Sequence, residues 1–280
     1  MKDFELAWLI RRHAVEMTHL SGGSHLASIL SSADIIATLY CDILKYDCAN
    51  PKSEDRDYFV LSKGHAGAGL YAALAEVGFF DKKILLSHYQ NGSILSGHVS
   101  HKTVPGVDVS TGSLGHGLSY AVGIAYALKK DNRDNKVFCL LGDGECQEGS
   151  VYEAMTLARQ LKLDNLYIFI DYNKMQAMGF VDDIISLEPL ENRLNSFGLE
   201  TFNIDGNDCL QIKNAFLLCK KNDRPHAIIC NTIKGKGISF MEMNLLWHYR
   251  YPHEGAEYDG AVAELNAQKP STISDPYRKK

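Results

Sequence analysis

The residues with the most chemical promise are an aspartate between two glycines, Gly142-Asp143-Gly144, and an asparagine, Asn173, that follows one helix and one strand later. An apolar run, Val137 to Leu141, leads into the first; a second, Leu166 to Ile170, leads through Asp171-Tyr172 into the other. That is the pattern of a βαβ unit. In parallel neighbouring strands about 4.8 Å apart, Asp143 and Asn173 emerge together at the carboxyl edge, where ligands of open α/β sheets sit. Two oxygen donors there suit one hard cation, and the helix expected after Gly149 presents free N–H groups. A helix dipole is worth ~0.3–1 kcal/mol, up to about 2 in good geometry, too little to hold a diphosphate unaided. A divalent cation is therefore expected. Mg²⁺ prefers six oxygens, which Asp143, Asn173, a main-chain carbonyl near Met175, two diphosphate oxygens and a water would supply. The plainer alternative is an Asp143 that only caps the helix.

Histidines form a second group. His25, His65, His98 and His116 each follow a glycine-marked loop. A lone histidine is as often a structural hydrogen-bonder as a catalyst, but a ring of neutral imidazoles, each donating and accepting, suits a polyhydroxylated substrate and proton transfers between its oxygens. His116 is the exception, since it falls in a helix-start motif and is expected only to pack. Near the end of the chain Lys234-Gly235-Lys236-Gly237 follows the last strand, with Trp247-His248 beyond it. Lysines in a glycine loop at a strand end can meet phosphate; a solvated basic turn is the alternative. His88, His101, His226 and His253 lack such context and receive no role.

The elements that must position these groups follow from periodicity. Helical spacing runs from Asp3 to Leu20 and stops at Ser21-Gly22-Gly23, and a second helix is expected from about Ser32 to Leu44, capped by Ser31 or Ser32. Tyr58 to Leu61 reads as a short buried strand and Gly69 to Val77 as helix. Asp81 to Val109 reads as a long functional loop around a short helix near Ile84 to Tyr89. Ser113 to Lys129 is helical and dense in small residues; each glycine costs roughly 1 kcal/mol there relative to alanine, so another backbone is expected to approach closely. After the central unit come a loop (Asn173 to Leu187), a helix near Leu190 to Phe197, a strand Glu200 to Ile204, a helix Cys209 to Lys221 and a strand His226 to Asn231. Alternating strands and helices predict an α/β fold: a mostly parallel sheet with helices on both faces. The expected division is one domain, residues 1–267, and a surface tail, residues 268–280.

Composition narrows the function. The chain has 280 residues, 45% of them hydrophobic, enough for one large core. Its net charge of −5 gives no electrostatic footprint for nucleic acid. No apolar run approaches the ~20 residues of a membrane span, and charges interrupt the N-terminal stretch Met1-Lys2-Asp3-Phe4-Glu5 where a signal peptide would be apolar. Seven cysteines include no C-x-x-C pair, which fits free thiols in a reducing cytoplasm. A small-molecule substrate is expected.

Ordered motifs from His25 to His248 resemble the thiamine-diphosphate-binding, N-terminal half of transketolases: Ser24-His25-Leu26-Ala27-Ser28 with Ser32-Ala33-Asp34, Leu61-Ser62-Lys63-Gly64-His65, Ser96-Gly97-His98, Thr111-Gly112-Ser113-Leu114-Gly115, and Gly142-Asp143-Gly144-Glu145 through Asn173. The resemblance implies the thiamine diphosphate-binding fold. It also implies Mg²⁺, for which Ca²⁺ or Mn²⁺ can substitute, on Asp143, Asn173 and the Met175 carbonyl. Gly144, His65 and His248 would contact the diphosphate side, Glu145 and Lys234 belong to the same cofactor-binding set, and Gly112, Ser113 and Leu114 would meet the aminopyrimidine. His25 and His98 would face the sugar; with His65 and His248 they are the candidate catalytic residues. The implied reaction moves a two-carbon ketol unit from a ketose to an aldose, with the cofactor as electron sink.

Two features depart from the family. Its usual Gly-His-Pro-Gly reads Ser24-His25-Leu26-Ala27, closer to deoxyxylulose-phosphate synthases, and Met175 stands where Ile is common. Full-length transketolases also continue into a pyrimidine-binding domain, whose glutamate activates the cofactor, and a C-terminal domain; neither fits in the remaining residues. The chain therefore resembles the shorter subunit of a split transketolase, inactive alone, with a companion supplying both domains, in a heterotetramer of two copies of each. Other thiamine-diphosphate chemistry, either deoxyxylulose-phosphate synthesis or 2-oxo acid decarboxylation, and a non-catalytic regulatory paralogue are the alternatives.

Overall fold

A computed structural model describes residues 1–278. The elements in order are α1 (Asp3–Ser21), α2 (Leu26–Thr38), β1 (Tyr58–Leu61), α3 (Gly67–Val77), α4 (Gly117–Lys130), β2 (Val137–Gly142), α5 (Gly149–Gln160), β3 (Leu166–Tyr172), α6 (Val181–Ile185), α7 (Leu190–Ser196), β4 (Glu200–Asp205), α8 (Cys209–Leu218), β5 (His226–Asn231) and α9 (Ala256–Ala267). The strands form one parallel sheet in the order β1-β2-β3-β5-β4. Side chains alternate across it. Phe138, Leu140 and Phe169 face a core shared with α1, α2 and α3, whereas Val137, Cys139, Leu141 and Ile168 face one shared with α4, α5 and α7. The α/β expectation holds, with helices on both faces.

Because all strands run the same way, one edge collects every strand's carboxyl end. Gly142 pairs with Asp171 and Tyr172 with Asn231, so the segments after β2, β3 and β5 leave side by side, with that after β1 next to β2. The free edge of β1 is closed by the long loop before α4: Asp108 Oδ2 accepts from the Phe59 N–H at 3.0 Å, and the Thr111 hydroxyl donates to the Leu61 carbonyl.

Several boundaries differ from expectation for identifiable reasons. The second helix starts at Leu26, straight after His25, not at Ser32. Its serines are not caps; Ser32 Oγ bonds the Ser28 carbonyl at 3.0 Å and Ser31 Oγ reaches the same carbonyl at 3.1 Å, a back-bonding that lets hydroxyls lie inside a buried helix. This helix and its continuation, Leu26–Ile43, are apolar and long enough to span a membrane by composition, but 83% of the stretch is buried within the domain. Near Ile84 the helix is a 3-10 segment, Lys82–Ser87. The fourth helix begins at Gly117 and not Ser113, since Gly115 (φ +84°) places the chain in the left-handed region. The expected close approach is found at Gly117, where an added Cβ would lie 2.7 Å from Ser62 Cα, but not at Gly123, which is exposed and meets nothing within 4 Å.

After α9, whose Leu265 carbonyl accepts from Trp8 Nε1 at 2.7 Å, the described part of the tail (268–278) is irregular and returns to α1. Arg12 Nε lies 3.2 Å from Asp275, and the Tyr277 hydroxyl 2.6 Å from His13 Nδ1.

Candidate functional site

The carboxyl edge opens into a cavity of about 350 Å³. Asp143, at the end of β2, is 4% exposed. Its Oδ1 accepts from the Gly144 N–H at 2.7 Å and its Oδ2 from the Lys174 N–H at 2.6 Å, which ties the end of β2 to the loop after β3. Burial, with Asp171 adding like charge, pushes this carboxyl up to about 6; those N–H bonds and Lys234 oppose the shift. Asn173, also buried, turns Oδ1 to the Met175 N–H at 3.2 Å and Nδ2 to Asp171 at 3.2 Å. The Met175 carbonyl accepts from Lys234 Nζ at 2.8 Å. Asp143, Asn173 and Met175 thus line one cavity, as their spacing along the chain suggested.

Lys234 is 2% exposed, so the alternative of a solvated basic turn fails for it. Burial pushes its ammonium down to about 8, with Asp143 holding it up. Lys63, 0% exposed, pairs with Asp171 and donates to the Ser28 carbonyl at 3.0 Å. Two cations and two buried carboxylates therefore share this edge, and the buried charges are paired as energetics demand.

The donor set suits a hard cation on a phosphate ligand. One carboxylate, one amide oxygen and one main-chain carbonyl leave room for further oxygens, the pattern of Mg²⁺ held jointly by protein and phosphate. Among the described residues no cluster of three His, Cys, Asp or Glu is arranged to hold a metal by itself. Gly144 is on the cavity wall as expected. Glu145 is there too, but both of its oxygens are engaged: Oε1 by Ser62 and the Gly115 N–H, Oε2 by the Gly142 N–H. It fastens β1, the Gly115 turn and β2 together.

Four of the histidines converge. The His25 ring lies 4.9 Å from His65, 6.3 Å from His98 and 5.2 Å from His248, centroid to centroid. His65 Nε2 is 2.9 Å from Ser28 Oγ, and His248 Nδ1 is 3.0 Å from Lys234 Nζ, so the lysine donates and the imidazole proton sits on Nε2. Burial pushes His25 down to about 4 and His248 to about 3, with the neighbouring charges of His98 and Lys234 adding to the respective shifts. Burial also holds His65 well below its ordinary value. These three are neutral near pH 7. His25 Nδ1 is buried and has no partner in the protein, a free position for a ligand. His116 is exposed at the start of α4 and stays apart.

Gly112 and Leu114 line the same cavity, whereas Ser113 between them is exposed and does not. Sequence reasoning missed Ser28, Lys63, Gln176 and Tyr249, which also line it, and Asp171 beneath. Lys63 stood in a recognised loop, and Ser28 one helical turn after His25; both signals were available. Tyr249, whose ring lies 5.2 Å from His25, carried no signal beyond adjacency to His248.

Residues 3–248 match the family model described as "transketolase, thiamine diphosphate binding domain". The chain belongs to the transketolase family. It is 42% identical to a separately encoded chain of the apulose-4-phosphate transketolase of Actinobacillus succinogenes, over 91% of this chain and 93% of that protein. It is 40% identical to 6-deoxy-6-sulfo-D-fructose transketolase subunit SqwG of a Clostridium species, over 93% and 94% respectively. The crystal structure of Campylobacter jejuni transketolase superposes with a TM-score of 0.87 at 32% identity, covering 97% of this chain and 43% of that one. This transketolase-family chain therefore spans nearly the whole of the separate subunits but less than half of the larger enzyme.

Proposed function

We propose that this chain is the diphosphate-binding subunit of a two-chain transketolase, which moves a two-carbon ketol unit from a ketose to an aldose acceptor. The observation that carries the reading is the convergence of Asp143, Asn173 and the Met175 carbonyl on one cavity whose rim holds His25, His65, His98 and His248. Asp143, Asn173 and Met175 hold Mg²⁺, with Ca²⁺ or Mn²⁺ as substitutes. Lys63, Lys234, His65 and His248 neutralise or hydrogen-bond the diphosphate, and Gly112 and Leu114 flank the rest of thiamine diphosphate. When bound, that cofactor supplies the carbon nucleophile and the electron sink for breaking the bond beside the ketose carbonyl.

The protein's part is placement and proton movement. His25, with an open Nδ1, and His98 face the sugar. A neutral imidazole takes a hydroxyl proton as the donor sugar is cleaved and returns one to the oxygen formed on the acceptor. Relatives spanned almost end to end are named as subunits of their transketolases, which supports a companion chain; that chain provides the pyrimidine-binding and C-terminal domains, two copies of each subunit forming a heterotetramer. The names of these relatives point to unusual ketoses, apulose-4-phosphate and 6-deoxy-6-sulfo-D-fructose, each with an anionic end, and a ketose of that class is the donor proposed here. The seven cysteines are free thiols, which supports a cytoplasmic location.

The test combines the chain with its companion, Mg²⁺ and thiamine diphosphate and follows two-carbon transfer from anionic ketoses. Transfer is expected only with both chains present. Inactivity with every such donor, or carbon dioxide release from pyruvate instead, contradicts the reading.

A further inference from the structure

Asp171 is wholly buried, at 0% exposure, and no step above uses it. It sits at the carboxyl end of β3, two residues before Asn173. Its Oδ1 accepts from the Thr232 hydroxyl; its Oδ2 accepts from Ser31 Oγ at 2.7 Å, from Lys63 Nζ and from Asn173 Nδ2 at 3.2 Å. Donors from α2 and from the segments after β1, β3 and β5 therefore meet on one carboxylate. A mere counter-ion for Lys63 would need only one of these contacts.

The contact with Asn173 has a directional consequence. An ionised carboxylate accepts hydrogen bonds and cannot donate one. Of the two ends of the amide, only the NH₂ end can face it. Asn173 Nδ2 also lies 3.4 Å from Ser31 Oγ, so the NH₂ is turned toward α2 on both counts and Oδ1 is left on the side of the Met175 N–H. A flipped amide would set its carbonyl oxygen against the Asp171 carboxylate.

We propose that Asp171 is a positioning residue that locks the Asn173 amide with its oxygen toward the cation. The inference rests on the reading of Asp143, Asn173 and Met175 as the cation's ligands. Groups behind a metal ligand set its orientation, and their loss typically weakens metal binding about 10–100-fold.

The full chain, in the presence of thiamine diphosphate, is titrated with Mn²⁺, and free Mn²⁺ is read by electron paramagnetic resonance; folding of each variant is checked by circular dichroism. Asp171→Asn, whose amide can present either end to Asn173, is expected to bind Mn²⁺ about 10–100-fold more weakly than the wild type. The exchange Asp171→Asn with Asn173→Asp puts the carboxylate on the cation with an amide behind it and is expected to recover most of that loss. A folded Asp171→Asn with unchanged affinity overturns the proposal, as does a folded exchange variant with no recovery, which leaves Asp171 only a counter-ion of Lys63. If Asp171→Asn does not fold, the exchange variant decides, since it returns a carboxylate to the neighbourhood of Lys63. A wild-type chain that binds no Mn²⁺ overturns the cation-site reading itself, and this inference with it.

Discussion

The ammonium of Lys234 lies 2.8 Å from the main-chain oxygen of Met175, the carbonyl assigned above to the cation. In the ligand-free chain a lysine thus holds positive charge beside the buried carboxylates of Asp143 and Asp171. Lys234→Met removes that charge and leaves two carboxylates against Lys63 alone. Breaking a buried charge arrangement by deleting one partner costs about 3–5 kcal/mol. The variant is expected to melt lower than the wild type, and Mg²⁺ is expected to raise its melting temperature by more than it raises the wild type's. Differential scanning calorimetry with and without Mg²⁺ checks both statements.

The buried neutral histidines make the chain acid-sensitive. His25 and His248 are pushed down from 6.5 to about 4 and about 3, so between those values and 6.5 the unfolded chain binds more protons than the folded one. Their contribution is fully present above pH 6.5 and is lost as pH falls toward 3, by the sign of the linkage. Asp143 works oppositely over the lower part of this window, since its carboxyl is raised to about 6 and favours the folded state on protonation. Two histidines outweigh one carboxylate, and a net loss on the order of 1–3 kcal/mol between pH 6.5 and 4 is expected. Urea unfolding across this range measures it; in His25→Ala/His248→Ala the decline should be shallower.

His25→Ala separates binding from turnover. The ring contributes no ligand to the cation and stands on the sugar side, so cofactor affinity should stay near wild type while turnover in the two-chain enzyme falls by about 10²-fold or more. Calorimetry and a kcat measurement with the companion chain present check the split.

Two glycines of α4 should respond in opposite senses. At Gly117 a methyl would sit 2.7 Å from Ser62 Cα, so Gly117→Ala forces backbone apart and should cost about 1–3 kcal/mol. At Gly123 nothing lies within 4 Å, so Gly123→Ala should stabilise the isolated chain by up to about 1 kcal/mol through helix propensity alone. Urea midpoints of the two variants decide.

What could be read in advance had local causes. Asp143 and Asn173 each end an apolar run, and parallel strands deliver run ends to one edge, so their meeting followed from periodicity. The histidines were marked by the glycine loops that carry them. Lys63 and Asp171 were harder, because neither residue type is expected inside; only the folded chain shows that each is buried by virtue of the other. The start of α2 was misplaced because Ser31 and Ser32 resemble caps until their hydroxyls are seen bonded to the preceding turn. Helix α9 and the return of Asp275 and Tyr277 to α1 depend on partners more than 250 residues away in sequence, beyond any local pattern.

The most direct measurement is a calorimetric titration of thiamine diphosphate, with and without Mg²⁺, into the wild-type chain and Asp143→Ala. Binding by the wild type that requires Mg²⁺, and no detectable binding by Asp143→Ala, is the expected result. Normal affinity in Asp143→Ala would contradict the assignment of this carboxylate to the cation and, with it, the cavity at the carboxyl edge as the diphosphate site.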